Sequence, residues 1–173
     1  MVYQTIITDK KKINWKELIN QLDDKGILWV ITNDEYQNNL CNPKTFHLIE
    51  EGLNEGLILK NVILWINKFE RINDILINNY KNILFFVKSE NYFFNKDPIR
   101  EKHIWKNVEW GQREKNYNSK GKDPSNVWIL TEDDGKGKIT KFKPLSIKEV
   151  IKRCIDCSTK KGDNYLIDIK EEK

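Results

Sequence analysis

A mostly parallel α/β sheet flanked by helices is the fold class this sequence predicts, and three observations carry the prediction. Strand-length runs of β-branched and aromatic residues recur along the chain, and one of them, ILWVIT at 27–32, is apolar throughout, as in strands covered on both faces. Segments with apolar residues at helical spacing lie between these runs, so strand and helix alternate. The connections are long enough to carry crossovers rather than tight hairpins alone.

The elements follow in order. VYQTIIT at 2–8 predicts the first strand and WKELINQL at 15–22 the first helix. DDKG at 23–26 is turn chemistry, so 27–32 is expected as a parallel strand beside the first. TFHLIEEGLN at 45–54 predicts a second helix and LILKNVILWIN at 57–67 a strand, giving two strand-helix steps and right-handed crossovers. NILFFVK at 82–88 is a further buried strand, expected to pair antiparallel with 57–67 at the sheet edge, with a short helix in the polar stretch 68–81. VWIL at 127–130 resumes a strand, and DDGKG at 133–137 turns the chain. In SIKEVIKRCIDCS, 146–158, Ile147, Val150, Ile151, Cys154 and Ile155 form one helical stripe, with Ser146 as N-cap and Glu149 as its capping-box partner. NYLIDI at 164–169 is the last strand, followed by a charged tail.

At 173 residues, with 39% hydrophobic and 32% charged side chains, the chain is expected to form a single domain over 1–173 around its own core. No run approaches the roughly 20 apolar residues of a bilayer span, and the start of the sequence lacks the pattern of a cleaved leader. The expected address is therefore the cytoplasm or a host cell's interior, with no membrane partner. An abundance of Asn, Lys and Ile is the compositional mark of an AT-rich genome, such as that of a virus, mobile element or reduced microbe. Cys154 and Cys157 have CxxC spacing without a second pair or neighbouring histidines, which favours two small residues on a helix over redox or zinc chemistry, and no metal site is expected. His47 sits in a helical pattern beside Phe46 and Leu48 and is expected to be structural or exposed.

Charge is concentrated rather than spread. Residues 96–122 hold eight Lys/Arg against four Asp/Glu, an excess equal to the +4 of the whole chain. They lie within a loop region, 95–126, where apolar periodicity fades. Arg100 and Arg113 suit bidentate contact with phosphate or guanine, Lys102, Lys115, Lys120 and Lys122 suit phosphate, and His103 and Tyr117 lie among them. Two readings stand side by side: a surface that tracks double-stranded DNA, or a solvated loop anchored by Trp105 and Trp110.

In order, KGILWVITND (25–34), ILFFVKSENYFFNKDPIRE (83–101), EWGQREKNYNSKGKDPSNVWIL (109–130) and EVIKRCIDCSTKKGDNYLIDI (149–169) resemble the DNA amino-methyltransferases of the permuted class, whose catalytic strand precedes the cofactor strand. The resemblance spans nearly the whole chain and implies a reduced Rossmann-like methyltransferase fold with 95–126 as a recognition-like region. It also implies S-adenosylmethionine as cofactor if the chain is active, and adenine or cytosine amino groups as target.

Three departures accompany it. The family carries Asp-Pro-Pro-aromatic after its catalytic strand. Here Asp9 stands alone, a degenerate remnant or an ordinary loop-initiating acid, and Lys10, Lys11 and Lys12 replace the rest, as solvated side chains or phosphate contacts. Lysines neither fix the carbonyl that grips a flipped base's amino group nor supply a ring to stack on it. Where the family continues from its last strand into a glycine-rich cofactor turn, Asp168 is a remnant followed by Ile169-Lys170. The Phe142–Lys143–Pro144 element replaces the family's opening of the cofactor cleft. The expectation is a degenerate restriction-modification relative that has lost catalysis, needs no cofactor, and binds DNA or assists, as a homodimer or beside an active methyltransferase. An active enzyme completed by another subunit, and a protein-interaction scaffold, are the alternatives.

Overall fold

The structure is a computed structural model describing residues 1–37, 40–70, 78–103, 118–134, 136 and 138–170. Its centre is a six-stranded sheet. The strands are β1 (Tyr3–Thr8), β2 (Leu22–Thr32), β5 (Ile58–Ile66), β6 (Tyr80–Val87), β7 (Val127–Trp128) and β10 (Tyr165–Asp168), in the order β10-β1-β2-β6-β5-β7. β1 runs parallel to both β10 and β2, β6 runs antiparallel to β2 and β5, and β7 runs parallel to β5. Two small antiparallel ladders stand apart: β3 (Glu35–Gln37) with β4 (Leu40–Asn42), and β8 (Leu130–Asp133) with β9 (Ile139–Lys143).

Alternation along each strand divides the apolar side chains between two faces. Ile7, Ile27, Trp29, Ile31, Ile83, Phe85 and Val87 face one core. Ile6, Leu28, Val30, Leu84 and Phe86 face the other. The first face is covered by α3 (Ile147–Ser158) through Val150, Cys154 and Cys157, with Trp128, Leu145 and Ile99 beside it. The second is covered by α1 (Trp15–Gln21) through Trp15 and Leu18, and by α2 (Lys44–Asn54) through Leu48. The uninterrupted apolar letters of 27–32 follow from this double cover.

α3 begins as its sequence dictates: Ser146 Oγ accepts the Glu149 N–H at 3.3 Å and Glu149 Oε2 accepts the Ser146 N–H at 2.7 Å. Its far end is fixed by buried polar contacts. Thr5 Oγ1 lies 2.6 Å from Ser158 Oγ, which also accepts the Trp29 indole N–H at 3.3 Å and donates to the Cys154 carbonyl. Gly52 of α2 lies so close to the sheet that a Cβ there would meet the Phe86 ring at 2.9 Å.

Three expectations need correction. DDKG at 23–26 is not a turn before β2 but part of it: Asp23 Oδ1 accepts the Lys25 N–H at 2.8 Å, and the pairing with β1 shifts register between Tyr3 and Thr5, so the turn-forming letters make a bulge. The antiparallel pair β5-β6 forms as expected but lies one strand in from the edge, which β7 occupies. The single strand expected at 127–130 is two, because Val127–Trp128 joins the main sheet while Leu130–Asp133 pairs with β9. Of the stretch 68–81, in which a short helix is expected, residues 71–77 lie outside the described residues.

Candidate functional site

Because Thr8 and Asp168 are partners in the β1-β10 ladder, the chain segments leaving these two strands emerge side by side. Asp9 Oδ1 accepts the Lys170 backbone N–H at 3.0 Å. Lys10 turns to Asp168, with Nζ 2.5 Å from its carboxylate, and that contact holds the ammonium pKa above its ordinary value. Lys11 pairs with Glu35 at 2.9 Å and lowers the Glu35 carboxyl pKa, with Lys44 adding at 3.7 Å. Lys12 is exposed and makes no ion pair among the described residues. Asp9, Lys10 and Asp168 thus lie in one cluster, in which Lys10 pairs with Asp168 and one Asp9 oxygen is held by the backbone.

Beside this cluster, at the C-terminal ends of β1 and β10 and the start of α3, lies a cavity of about 350 Å³. Ile31, Ile147, Ile151, Ile167 and Ile169 supply its apolar lining, and Asp9, Lys81, Lys148 and Lys170 its polar groups. A crevice at strand carboxyl ends is where open α/β sheets bind ligands. Sequence reading missed Lys81 and Lys148, since nothing local marks residues that only a crossover brings to one opening.

Several of the described basic residues of the loop region are held elsewhere, at the base of the segment. Glu101 and Lys122 exchange backbone hydrogen bonds at 3.1 and 2.8 Å, which closes the loop's stem. Gly121, with φ of +116°, permits that approach, because a Cβ there would lie 2.5 Å from the Glu101 carbonyl oxygen. Arg100 fills the stem with only 7% of its side chain exposed: Nε donates to Asp97 Oδ1 at 2.7 Å and Nη1 donates to the Gly121 carbonyl at 3.2 Å and to Asp123. Lys120 bonds Asp97, and Lys96 bonds Asp123 at 2.6 Å. The Asp97 carboxyl is lowered by Lys120 and then Arg100, and Asp123 by Lys96 and then Arg100.

The stem packs on the C-terminal half of α3, where Asn95 N–H donates to the Cys157 carbonyl at 2.7 Å and Arg153 lies 3.7 Å from Glu101. The cavity beside Asp9 is lined by the start of α3, so the stem and the cavity lie toward opposite ends of that helix. Of the other candidates, Lys102 is exposed without an ion pair among the described residues, and Lys122 is half exposed at 3.9 Å from Glu101. His103 Nε2 contacts the Asn118 carbonyl at 3.0 Å. Arg113, Lys115 and Tyr117, with Trp105 and Trp110, lie outside the described residues.

Cys154 and Cys157 are both buried in the α3 interface; burial raises the Cys154 thiol well above its ordinary pKa and that of Cys157 to about 12. Among the described residues no group of three or more His, Cys, Asp or Glu could hold a metal ion. No described helix is long and apolar enough to cross a membrane.

A sheet covered on both faces, with its crevice at the strand carboxyl ends, is the layout of cofactor-binding α/β proteins. Residues 8–166 match the model of the N6/N4 DNA methylase family, described as DNA methylase, and the chain belongs to that family. Solved structures share the fold. The PvuII DNA methyltransferase (cytosine-N4-specific) aligns at a TM-score of 0.58 and 11% identity, covering 99% of this chain and 76% of its own. M1.HpyAVI aligns at 0.54 and 15%, covering 99% and 83%. A DNA modification methylase of Thermus thermophilus, complexed with S-adenosyl-L-methionine, aligns at 0.59 and 14%, covering 96% and 72%. Against two further structures of the Thermus protein the chain spans about half their length, 46% and 48%.

Proposed function

We propose that this chain is a DNA methylase family member in which methyl transfer has been lost and which serves as a DNA-binding or accessory protein in the cytoplasm. The observation that carries this reading is the state of Asp9. One of its oxygens, Oδ1, accepts the Lys170 N–H, and the next side chain, Lys10, is drawn away to Asp168. A carboxylate that orients a base's amino group needs a rigid loop and a stacking ring beside it, and the three residues after Asp9 offer ammonium groups instead. S-adenosylmethionine fits the adjoining cavity poorly, because its sulfonium is a cation and three of the four polar side chains lining the cavity are lysines. Duplex DNA would be met by Lys12, Lys102 and Lys122, which face solvent, together with Arg113, Lys115 and Tyr117. Arg100 is proposed as the pin of the loop stem rather than a phosphate contact, given its burial and two carboxylate partners.

Two assays on the full chain test the reading. Labelled duplex titrated at several salt concentrations should bind with an affinity that falls steeply as salt rises. Incubation with tritiated S-adenosylmethionine and DNA should leave no label on the DNA. Transfer that Asp9→Ala abolishes would overturn the loss of catalysis, and binding no tighter than that of an unrelated protein of equal charge would overturn the DNA role.

A second reading, an active methyltransferase completed by a partner subunit, is favoured by the outer edge of β10, which pairs with no described strand and exposes Tyr165 and Ile167. Methyl transfer that appears only when a second chain is added would support it.

A further inference from the structure

The cavity at the strand ends combines two properties that the DNA reading does not use. Its walls are five isoleucines, from β2, β10, the residue after β10, and two successive turns of α3. Among its polar groups, Lys148 and Lys170 stand against the single carboxylate of Asp9, one oxygen of which already accepts a backbone N–H, while Lys81 is engaged with other groups. Asp168, next to Ile167 on β10, does not redress the balance: neighbouring strand positions point to opposite faces, and its carboxylate is paired with Lys10. Lys81 also lies 5.4 Å over the Trp65 ring, so its ammonium is held near the sheet.

An apolar pocket of about 350 Å³ falls in the range of small-molecule sites, where a few polar groups fix orientation. With cations in excess around an apolar floor, the preferred guest carries negative charge on an apolar body.

We propose that this cavity binds a small amphipathic anion, an apolar or aromatic body bearing one carboxylate or phosphate, in the place where a cationic methyl donor would be unfavourable. The body packs against Ile147, Ile151 and Ile167, and the anionic head meets Lys148 and Lys170. The site is independent of whether the loop region binds DNA.

Calorimetric titration of the full chain with four probes tests this: decanoate, adenosine 5′-monophosphate, decanol and S-adenosylmethionine. At least one of the two anions should bind, decanoate pointing to a lipid-type carboxylate and the monophosphate to a nucleotide. Decanol, with the same chain and no charge, should bind about tenfold more weakly than decanoate. In a Lys148→Glu/Lys170→Glu variant that keeps the wild-type circular dichroism, anion affinity should fall by about tenfold or more. Asp9→Asn, which removes the opposing charge but keeps an oxygen for the Lys170 N–H, should tighten it severalfold. Failure of both anions, equal binding of decanol, an unchanged lysine variant, or S-adenosylmethionine binding more tightly than either anion would overturn the proposal.

Discussion

Arg100 and Asp97 stand one turn apart, and the Arg100 Nε–H donates to the Asp97 carboxylate at 2.7 Å from a side chain only 7% exposed. With Asp123 and the Gly121 carbonyl on the same guanidinium, Arg100 ties both legs of the loop stem together. Arg100→Ala should therefore lower the thermal unfolding midpoint and should leave the salt dependence of DNA binding unchanged, whereas a phosphate contact would show the reverse. Arg100→Lys should rescue little, because an ammonium cannot span the same partners in a fork.

The same cluster sets an acid response. Asp97 and Asp123 have folded pKa values below their ordinary ones, so their contribution to stability is fully present above the ordinary carboxylate range and is lost as pH falls through the depressed values. Denaturant midpoints should stay level from neutrality down to about pH 4 and then drop, and an Asp97→Asn/Asp123→Asn variant should show a shallower drop there.

Ser158 is fully buried and serves Thr5, Trp29 and the Cys154 carbonyl at once. Ser158→Ala removes the shared acceptor and strands the Trp29 N–H in the core. The expected cost is about 1–3 kcal/mol in urea unfolding, with a change in tryptophan emission as the indole loses its partner.

Thiol reactivity should separate the cysteines. Cys41 is exposed, while Cys154 and Cys157 are buried with raised pKa values. A disulfide reagent at about pH 8 should modify one thiol rapidly in the native protein and the other two only with unfolding.

Lys12→Ala and Lys102→Ala each remove an exposed ammonium that makes no ion pair among the described residues. If these lysines meet phosphates, each variant should reduce the slope of log affinity against log salt by about one.

Much of this architecture was legible because its determinants are local. Residues 27–32 declare a doubly covered strand by having no polar face, and Ser146 with Glu149 declares a helix start within four residues. The short ladders β3-β4 and β8-β9 were not legible, since three- to five-residue exposed strands carry no periodicity. DDKG misled because letters that favour a turn serve a bulge equally well. The candidate site was half visible: the replacement of the family's catalytic loop stands in the letters, but the Asp9–Lys170 bond joins residues 161 apart, and the Arg100 stem joins acids from two separate segments. Such pairings are decided by topology, to which a single sequence gives little access.

β1 is flanked by β2, made soon after it, and by β10, made only after all the other described strands. On the ribosome β1 must wait with one edge open while the rest of the domain is synthesised, and non-local pairings of this kind close slowly. The arrival of β10 caps that edge and, in the same step, brings Ile167, Ile169 and Lys170 to the cavity and Lys170 to Asp9. A chain interrupted before residue 165 would carry most of the core but would lack Ile167, Ile169 and Lys170, and with them one wall of the pocket.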